Sequence, residues 1–112
     1  ILTNGANNYT GTTTISGGAL GVGHDNALGA GGINIGASTS GGAIFAYGGD
    51  RVIANAVTEN NTTGGISNFV GDYSLTFNGA WTNPTTSASG RFTRNNIISG
   101  KTLTIAGDYT FT

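Results

Sequence analysis

Apolar residues alternate with Thr, Ser and Asn along most of the chain, in short runs that Gly, Asn or Asp interrupt. A period of two is typical of β-strands with one buried face. It predicts strands over residues 12–16, 33–35, 43–47, 52–58, 66–70, 73–77, 91–94 with 97–98, 102–105 and 109–111. No stretch carries a helical stripe, and only residues 25–28 fit a single helical turn. We therefore predict an all-β chain whose corners use residues that tolerate left-handed backbone conformations.

The predicted strands recur at a spacing near 22 residues. The segment GDRVI at 49–53 aligns with GDYSL at 71–75, and 22 further residues lead from Leu75 to Ile97. In a parallel β-helix, residues one coil apart lie above one another at about 4.8 Å. The spacing therefore predicts a parallel β-helix, or β-solenoid, with coils of about 22 residues, and the resemblance described below implies the right-handed form. The inward-facing rows expected from this spacing are Ile53/Leu75/Ile97 and Tyr47/Phe69/Phe92.

One alternative fold stays open. An antiparallel β-sandwich or jelly roll also has strands that recur every ~8–12 residues between turns. It ranks second because a fold built from hairpins does not require a constant spacing between rows. Residues 81–90, which include the single proline, break the rhythm most, and we predict that they form a loop projecting from the coils.

The composition is unusual but favours an ordered chain. Gly, Thr, Asn and Ser make up 60 of the 112 residues, a share that would otherwise indicate disorder. Only 8% of the residues are charged and one is proline, so we predict a single β-solenoid domain over residues 1–112. A net charge of −1 with dispersed basic residues provides no surface for nucleic acid. The chain has no cysteine, and no apolar run is long enough to insert into a membrane.

Residues 6–20, ANNYTGTTTISGGAL, resemble the passenger-associated repeat of autotransporters, which reads roughly A-N-x-Y-T-G-x-T-x-I-x-x-G-x-L. The segment NALG at 26–29 and the Gly pair at 31–32 are similar to the residues that come after such repeats, and the resemblance covers residues 3–36. It implies a right-handed parallel β-helix that is secreted and exported to a bacterial cell surface. It also implies an adhesin, scaffold or carrier, without a catalytic residue to transfer. The matching positions are Ala6, Tyr9, Thr10, Gly11, Thr13, Ile15, Gly18 and Leu20.

The sequence contains few candidates for catalysis or metal binding. His24 and Asp25 form the only pair of a histidine with a carboxylate, and no nucleophile stands beside them, so we interpret the pair as a polar corner. Asp50 and Asp72 lie one predicted coil apart, a spacing that raises calcium binding as an option. We prefer corner hydrogen bonds for both, with Arg51 neutralising one carboxylate. No catalytic residue, cofactor or metal is assigned.

Aromatic residues and acceptor motifs provide the remaining candidates. Trp81 is the candidate glycan contact, together with a stacking surface formed with the four tyrosines, although filling of the core is the commoner use of such residues. The N-glycosylation pattern occurs at Asn8, Asn60 and Asn61, where chance matches are frequent because the chain is rich in Asn and Thr.

These observations favour a non-catalytic structural module of a secreted bacterial cell-surface protein that forms or extends a fibrous β-rich assembly. The alternatives are a carbohydrate-binding adhesin, with a cell-surface or matrix polysaccharide as partner, and a polysaccharide lyase or hydrolase on the same scaffold. The five acidic and four basic residues are spread along the chain, which disfavours the enzyme. Both ends read as uncapped strands, so we expect self-association by end-to-end strand pairing or continuation into further coils. The chain is then a segment of a longer protein or one subunit of a filament.

Overall fold

The computed structural model of the protein describes residues 1–36, 41–59, 66–83 and 92–111, and these residues form short β-strands joined by turns and bends. The strands are β1 (Thr13–Ile15), β2 (Ala19–Val22), β3 (Ile33–Ile35), β4 (Gly42–Ala46), β5 (Arg51–Ile53), β6 (Val57–Glu59), β7 (Ile66–Gly71), β8 (Leu75–Phe77), β9 (Trp81–Asn83), β10 (Phe92–Ile97), β11 (Leu103–Ile105) and β12 (Tyr109–Phe111). Residues 25–28 form a turn rather than a helix.

The strands assemble into three parallel sheets with the orders β1-β3-β6-β9-β12, β10-β7-β4-β2 and β11-β8-β5. Three successive coils, β4 to β6, β7 to β9 and β10 to β12, each contribute one strand to every sheet. This arrangement is a parallel β-helix and confirms the predicted fold class. All pairings between the described strands are parallel, which rules out the antiparallel sandwich.

The regular coils are slightly longer than the sequence spacing suggested. Ile33 pairs with Val57 and Val57 with Trp81, which are two steps of 24 residues. The next step, from Trp81 to Tyr109, spans 28 residues. The alignment of GDRVI at 49–53 with GDYSL at 71–75 gave too short a spacing, because the two Gly-Asp pairs occupy different parts of their corners. Asp50 directly precedes β5, whereas Gly71 ends β7.

The predicted inward rows are therefore out of register. Ile53 pairs with Phe77, and Leu75 pairs with Arg51 and Leu103. The aliphatic members do point inward, since Ile53 and Leu75 are fully buried and Ile97 packs against the core from a partly buried position. Of the aromatic row, Phe69 is buried, Tyr47 is 47% exposed, and the side chain of Phe92 lies outside the described residues.

Alternate residues of the strands fill the inside of the coils. Phe69, Phe77 and Trp81 meet at the centre, with ring centroids 5.1 to 5.7 Å apart. Phe77 meets the other two rings nearly edge-on, at 75° and 83°, an arrangement that aromatic pairs favour. The other buried apolar residues are Ile15, Val22, Ala27, Leu28, Ile33, Ile35, Ile44, Ala46, Ile53, Val57 and Leu75.

Two local predictions need correction. The segment 52–58 is not one strand, because the chain turns a corner at residues 54–56 between β5 and β6. The segment 81–90 does not start as a projecting loop, because Trp81–Asn83 is β9 and pairs with both β6 and β12. Residues 84–90 of that segment lie outside the described residues.

Candidate functional site

Trp81 is a core residue and not a surface residue. Its side chain is 1% exposed and packs against Phe69 and Phe77. Its indole N–H has no hydrogen-bond partner in the described part of the chain. The sequence-based assignment of Trp81 as a glycan contact is therefore wrong, because neither face of the ring is open to a sugar.

The tyrosines behave in the opposite way. Tyr9, Tyr47, Tyr73 and Tyr109 are 38%, 47%, 37% and 48% exposed, so filling of the core does not account for them. Tyr9 and Tyr109 have polar contacts through their hydroxyl groups, to Thr13 Oγ1 at 3.2 Å and to Asn83 Nδ2 at 3.4 Å. Tyr47 and Tyr73 face a common depression on the outside of the coils.

This depression, which we call the tyrosine groove, has a volume of about 550 Å³. It forms where β4 and β7, on neighbouring coils, run into their corners. Its lining residues are Phe45, Ala46, Tyr47, Gly48, Gly71, Asp72 and Tyr73.

Glycine makes room for the half-buried ring of Phe45 beside the groove. A Cβ atom on Gly21, one coil below, would lie 2.7 Å from Phe45 Cζ. A Cβ on Gly71, on the coil above, would lie 3.0 Å from Phe45 Cβ, and Gly71 also has a φ of 109° that other residues rarely adopt. The outward aromatic residue and the space around it therefore depend on glycine on both neighbouring coils.

The cations beside the tyrosine groove are engaged with the protein. Arg51 donates from Nε and Nη2 to the carbonyl oxygen of Tyr47, at 3.2 and 2.9 Å. Lys101 Nζ lies 3.1 Å from Asp50 Oδ1 and 5.8 Å from the ring centroid of Tyr73. Asp72 is the only Asp, Glu, Lys, Arg or His residue in the lining.

The carboxylates of Asp25 and Asp50 bind the backbone of the next coil. Asp25 Oδ1 accepts the N–H of Val52 at 3.1 Å, and Asp50 Oδ1 accepts the N–H of Ser74 at 2.9 Å. The N–H of Ser74 and the ammonium group of Lys101 hold the pKa of the Asp50 carboxyl below its ordinary value. Asp50 thus lies beneath Ser74 and not beneath Asp72.

The His24–Asp25 pair also serves its own corner. His24 Nδ1 accepts the N–H of Asn26 at 3.1 Å. Arg51, expected to neutralise a carboxylate, binds the Tyr47 carbonyl instead, and Lys101 takes that role for Asp50. Within residues 1–36, 41–59, 66–83 and 92–111, no group of three or more His, Asp or Glu side chains is placed to hold a metal ion.

A row of corner residues that stack from coil to coil was not predicted from the sequence. Gly31, Asn55, Gly79 and Gly107 each lie two residues before a strand of the sheet that contains β3, β6, β9 and β12. A Cβ on Gly79 would fall on the carbonyl of Asn55, and a Cβ on Gly107 on the carbonyl of Gly79. The signal was the recurrence of AGGIN, ANAVT, NGAWT and AGDYT at 30, 54, 78 and 106, which has the true coil spacing.

Asn55 is the exception in this row, and its side chain is buried. Its Nδ2 donates to the carbonyl oxygens of Gly31 at 2.7 Å and Gly29 at 3.0 Å, and lies 3.4 Å from that of Leu28. One amide therefore ties the corner of its own coil to the corner below. At the other end of β6, the buried Glu59 accepts a hydrogen bond from Asn83 at 2.8 Å.

The last coil has a less buried interior than the coils before it. Ile53, Leu75 and Phe77 are at most 1% exposed. Leu103 and Ile105, which pair with Leu75 and Phe77 one coil later, are only partly buried. Among the described strands, β10, β11 and β12 each lie at one edge of their sheet, and β2, β5 and β1 lie at the opposite edges. An apolar surface and unpaired strand edges therefore coincide at this end.

The acceptor motifs are divided between described and undescribed residues. Asn8 is exposed, whereas Asn60 and Asn61 lie outside the described residues. In the part of the chain that the structure covers, no helix is long and apolar enough to cross a membrane. In comparisons with known proteins, no family model, no curated protein and no solved structure matched the chain.

Proposed function

We propose that this chain is a non-catalytic structural module whose coils extend a fibrous β-rich assembly. The observation that supports this proposal is the apolar face of the last described coil. Leu103 and Ile105 continue the inward rows of Leu75 and Phe77 but lack a covering coil among the described residues. A further parallel coil would bury their apolar surface and pair the edges of β10, β11 and β12.

The occupant that we propose for this face is a further coil, supplied by a second copy of the chain or by continuation of the same polypeptide. Stacking the first coil of one copy on the last coil of another is a head-to-tail contact, and such contacts propagate without closing. The low net charge of −1 offers little electrostatic repulsion against this stacking. The setting on a bacterial cell surface, outside the cell, rests on the resemblance of residues 6–20 to autotransporter repeats.

Three of the described carboxylates also favour a structural role over a polysaccharide hydrolase. Glycoside hydrolysis requires two carboxyl groups that face one substrate. Asp25 and Asp50 instead accept backbone N–H groups of the next coil, and Glu59 is buried beside Asn83.

The test is sedimentation velocity of the chain over a range of concentrations, comparing Leu103→Lys with Thr104→Lys. Leu103 faces inward at the open end, whereas the neighbouring Thr104 is exposed. We expect concentration-dependent, elongated species for the unchanged chain and for Thr104→Lys. We expect monomers for Leu103→Lys, because a covering coil would bury the lysine charge.

Circular dichroism of both variants checks that the solenoid still folds. A chain that stays monomeric at its highest soluble concentration would contradict the assembly. Equal association of the two lysine variants would show that the end of the last coil is not the contact.

A further inference from the structure

The tyrosine groove belongs to two middle coils and is separate from the end of the last coil. We propose that it binds a neutral oligosaccharide, with Tyr47 and Tyr73 as stacking surfaces and the Asp72 carboxylate as acceptor for sugar hydroxyl groups. The sequence alone grouped these two tyrosines with Trp81, Tyr9 and Tyr109 in one candidate stacking surface, of which the core encloses Trp81. The site does not depend on end-to-end assembly.

The exposure of the two rings is the first reason. Tyr47 and Tyr73 are 47% and 37% exposed, although the core has its own aromatic residues in Phe69, Phe77 and Trp81. A pyranose ring presents a face of C–H groups with hydroxyl groups around its edge. Tyrosine matches this pattern, because its ring packs on apolar surface while its hydroxyl group hydrogen-bonds at the rim.

The shape of the groove is the second reason. Its volume of about 550 Å³ lies within the range of roughly 300–1,000 Å³ that is typical of small-molecule sites. Gly48 and Gly71 contribute no side chain to its lining, so a ligand can approach the backbone between the tyrosines. Phe45 adds apolar surface beside them, in the space that Gly21 and Gly71 leave open.

The charges select a neutral sugar over an acidic one. Asp72 is the only acidic or basic residue in the lining, and a carboxylate only accepts hydrogen bonds. Hydroxyl groups of a neutral sugar can donate to it, whereas the carboxylate of a uronic acid would be repelled. Of the two nearby cations, Lys101 is paired with the Asp50 carboxylate. Arg51 keeps its charge, but its Nε and Nη2 groups donate to the Tyr47 carbonyl and it is not among the lining residues.

The experiment measures binding of neutral gluco-, manno-, xylo- and galacto-hexasaccharides by titration calorimetry, with an oligogalacturonide as the acidic counterpart. We expect at least one neutral hexasaccharide to bind more tightly than the oligogalacturonide. Saturation-transfer NMR should detect the sugar C–H protons close to tyrosine rings. Tyr47→Ala and Tyr73→Ala should each weaken binding by about tenfold, as expected when an aromatic anchor is truncated.

Further variants separate the roles of ring and carboxylate. Tyr73→Phe keeps the ring and should retain most of the affinity that Tyr73→Ala loses. Asp72→Asn keeps the shape but removes the charge, so it should weaken neutral sugars and narrow their advantage over the oligogalacturonide. Tyr9→Ala is the matched control, since Tyr9 is also 38% exposed but does not line the groove.

Three results would overturn the proposal. The first is the absence of binding by all four neutral hexasaccharides. The second is binding that Tyr47→Ala and Tyr73→Ala leave unchanged in variants whose circular dichroism is native. The third is preferential binding of a short oligolysine peptide, which would identify the groove as a site for cations attracted by Asp72.

Discussion

The aromatic residues inside the coils and those outside them obey different constraints. Phe69, Phe77 and Trp81 meet at centroid distances of 5.1 to 5.7 Å and are at most 1% exposed. Tyr47 and Tyr73 are exposed and line a groove in which glycine leaves space. The inner set fills a closed volume, whereas the outer set keeps surface available to a ligand. Truncating a residue of each set should therefore damage different properties of the protein.

The largest expected effect is on the inner set. Trp81→Ala should lower the free energy of unfolding by about 3–5 kcal/mol, because it leaves a cavity where Trp81 now contacts two other rings. Tyr73→Ala should lower it by only about 1 kcal/mol, because the ring is 37% exposed and its loss leaves no closed cavity. Urea unfolding followed by circular dichroism measures both values. Equal losses for the two variants would remove the distinction between the sets.

Trp81→Phe sharpens the same comparison. It keeps an aromatic ring in contact with Phe69 and Phe77, and it removes an indole N–H that has no partner among the described residues. Its destabilisation should be clearly smaller than that of Trp81→Ala, since no hydrogen bond is lost. A loss as large as that of Trp81→Ala would mean that the indole N–H makes an important contact.

An intermediate effect on the free energy of unfolding is expected for two asparagines, of which one is buried and the other exposed. Asn55 is buried and donates to carbonyl groups of the coil below, whereas Asn78, one coil later at the neighbouring position, is exposed. Asn55→Ala should reduce the free energy of unfolding by about 1–3 kcal/mol, because buried carbonyl groups lose their donor. Asn55→Asp has the same shape but cannot donate, and it should destabilise at least as much.

Asn78→Ala is the control for these two variants, and its unfolding curve should stay close to that of the unchanged chain. If Asn55→Asp were as stable as the unchanged chain at neutral pH, the donated hydrogen bonds would not contribute to stability.

The fold class could be predicted because alternation and recurrence are properties of the sequence itself. Alternate residues of a strand point to opposite sides of the coil. Whether a residue lies inside or outside could be predicted only where this alternation was applied to every residue of the strand. Ile44 and Ala46 are inward, so the intervening Phe45 and the following Tyr47 fall on the outward side of β4. The 22-residue alignment of the two Gly-Asp pairs overrode this alternation and placed Tyr47 inside.

The coil spacing was also present in the sequence, in ANAVT at 54 and NGAWT at 78, but these segments share few identical letters. Their common feature is a corner position close to the corner of the coil below, which only coordinates reveal. Asn55 donates to the Gly31 carbonyl, and a Cβ on Gly79 would fall on the Asn55 carbonyl. The tyrosine groove could not be predicted for a similar reason. It joins two corners of unequal length, and the register between those corners depends on how many residues each one contains.

The smallest expected effect concerns Asp50, on the exposed corner of the coils. Its carboxylate accepts the N–H of Ser74 and pairs with Lys101, and both contacts hold the pKa of Asp50 below the ordinary value of 3.8. A lowered pKa in the folded state means that this stabilisation is complete above pH 3.8 and is lost as the pH falls through the lower, folded-state value.

Asp50→Asn should therefore lower the melting temperature slightly at neutral pH and flatten the decline of the melting temperature in acid. Asp72→Asn is the matched control for the removal of one exposed carboxylate charge. High salt should weaken the exposed ion pair with Lys101 while leaving the hydrogen bond from Ser74, so only part of the difference between Asp50→Asn and the unchanged chain should disappear. Identical acid profiles for Asp50→Asn and the unchanged chain would show that the outer corners, unlike the interior, contribute no measurable stability through this contact.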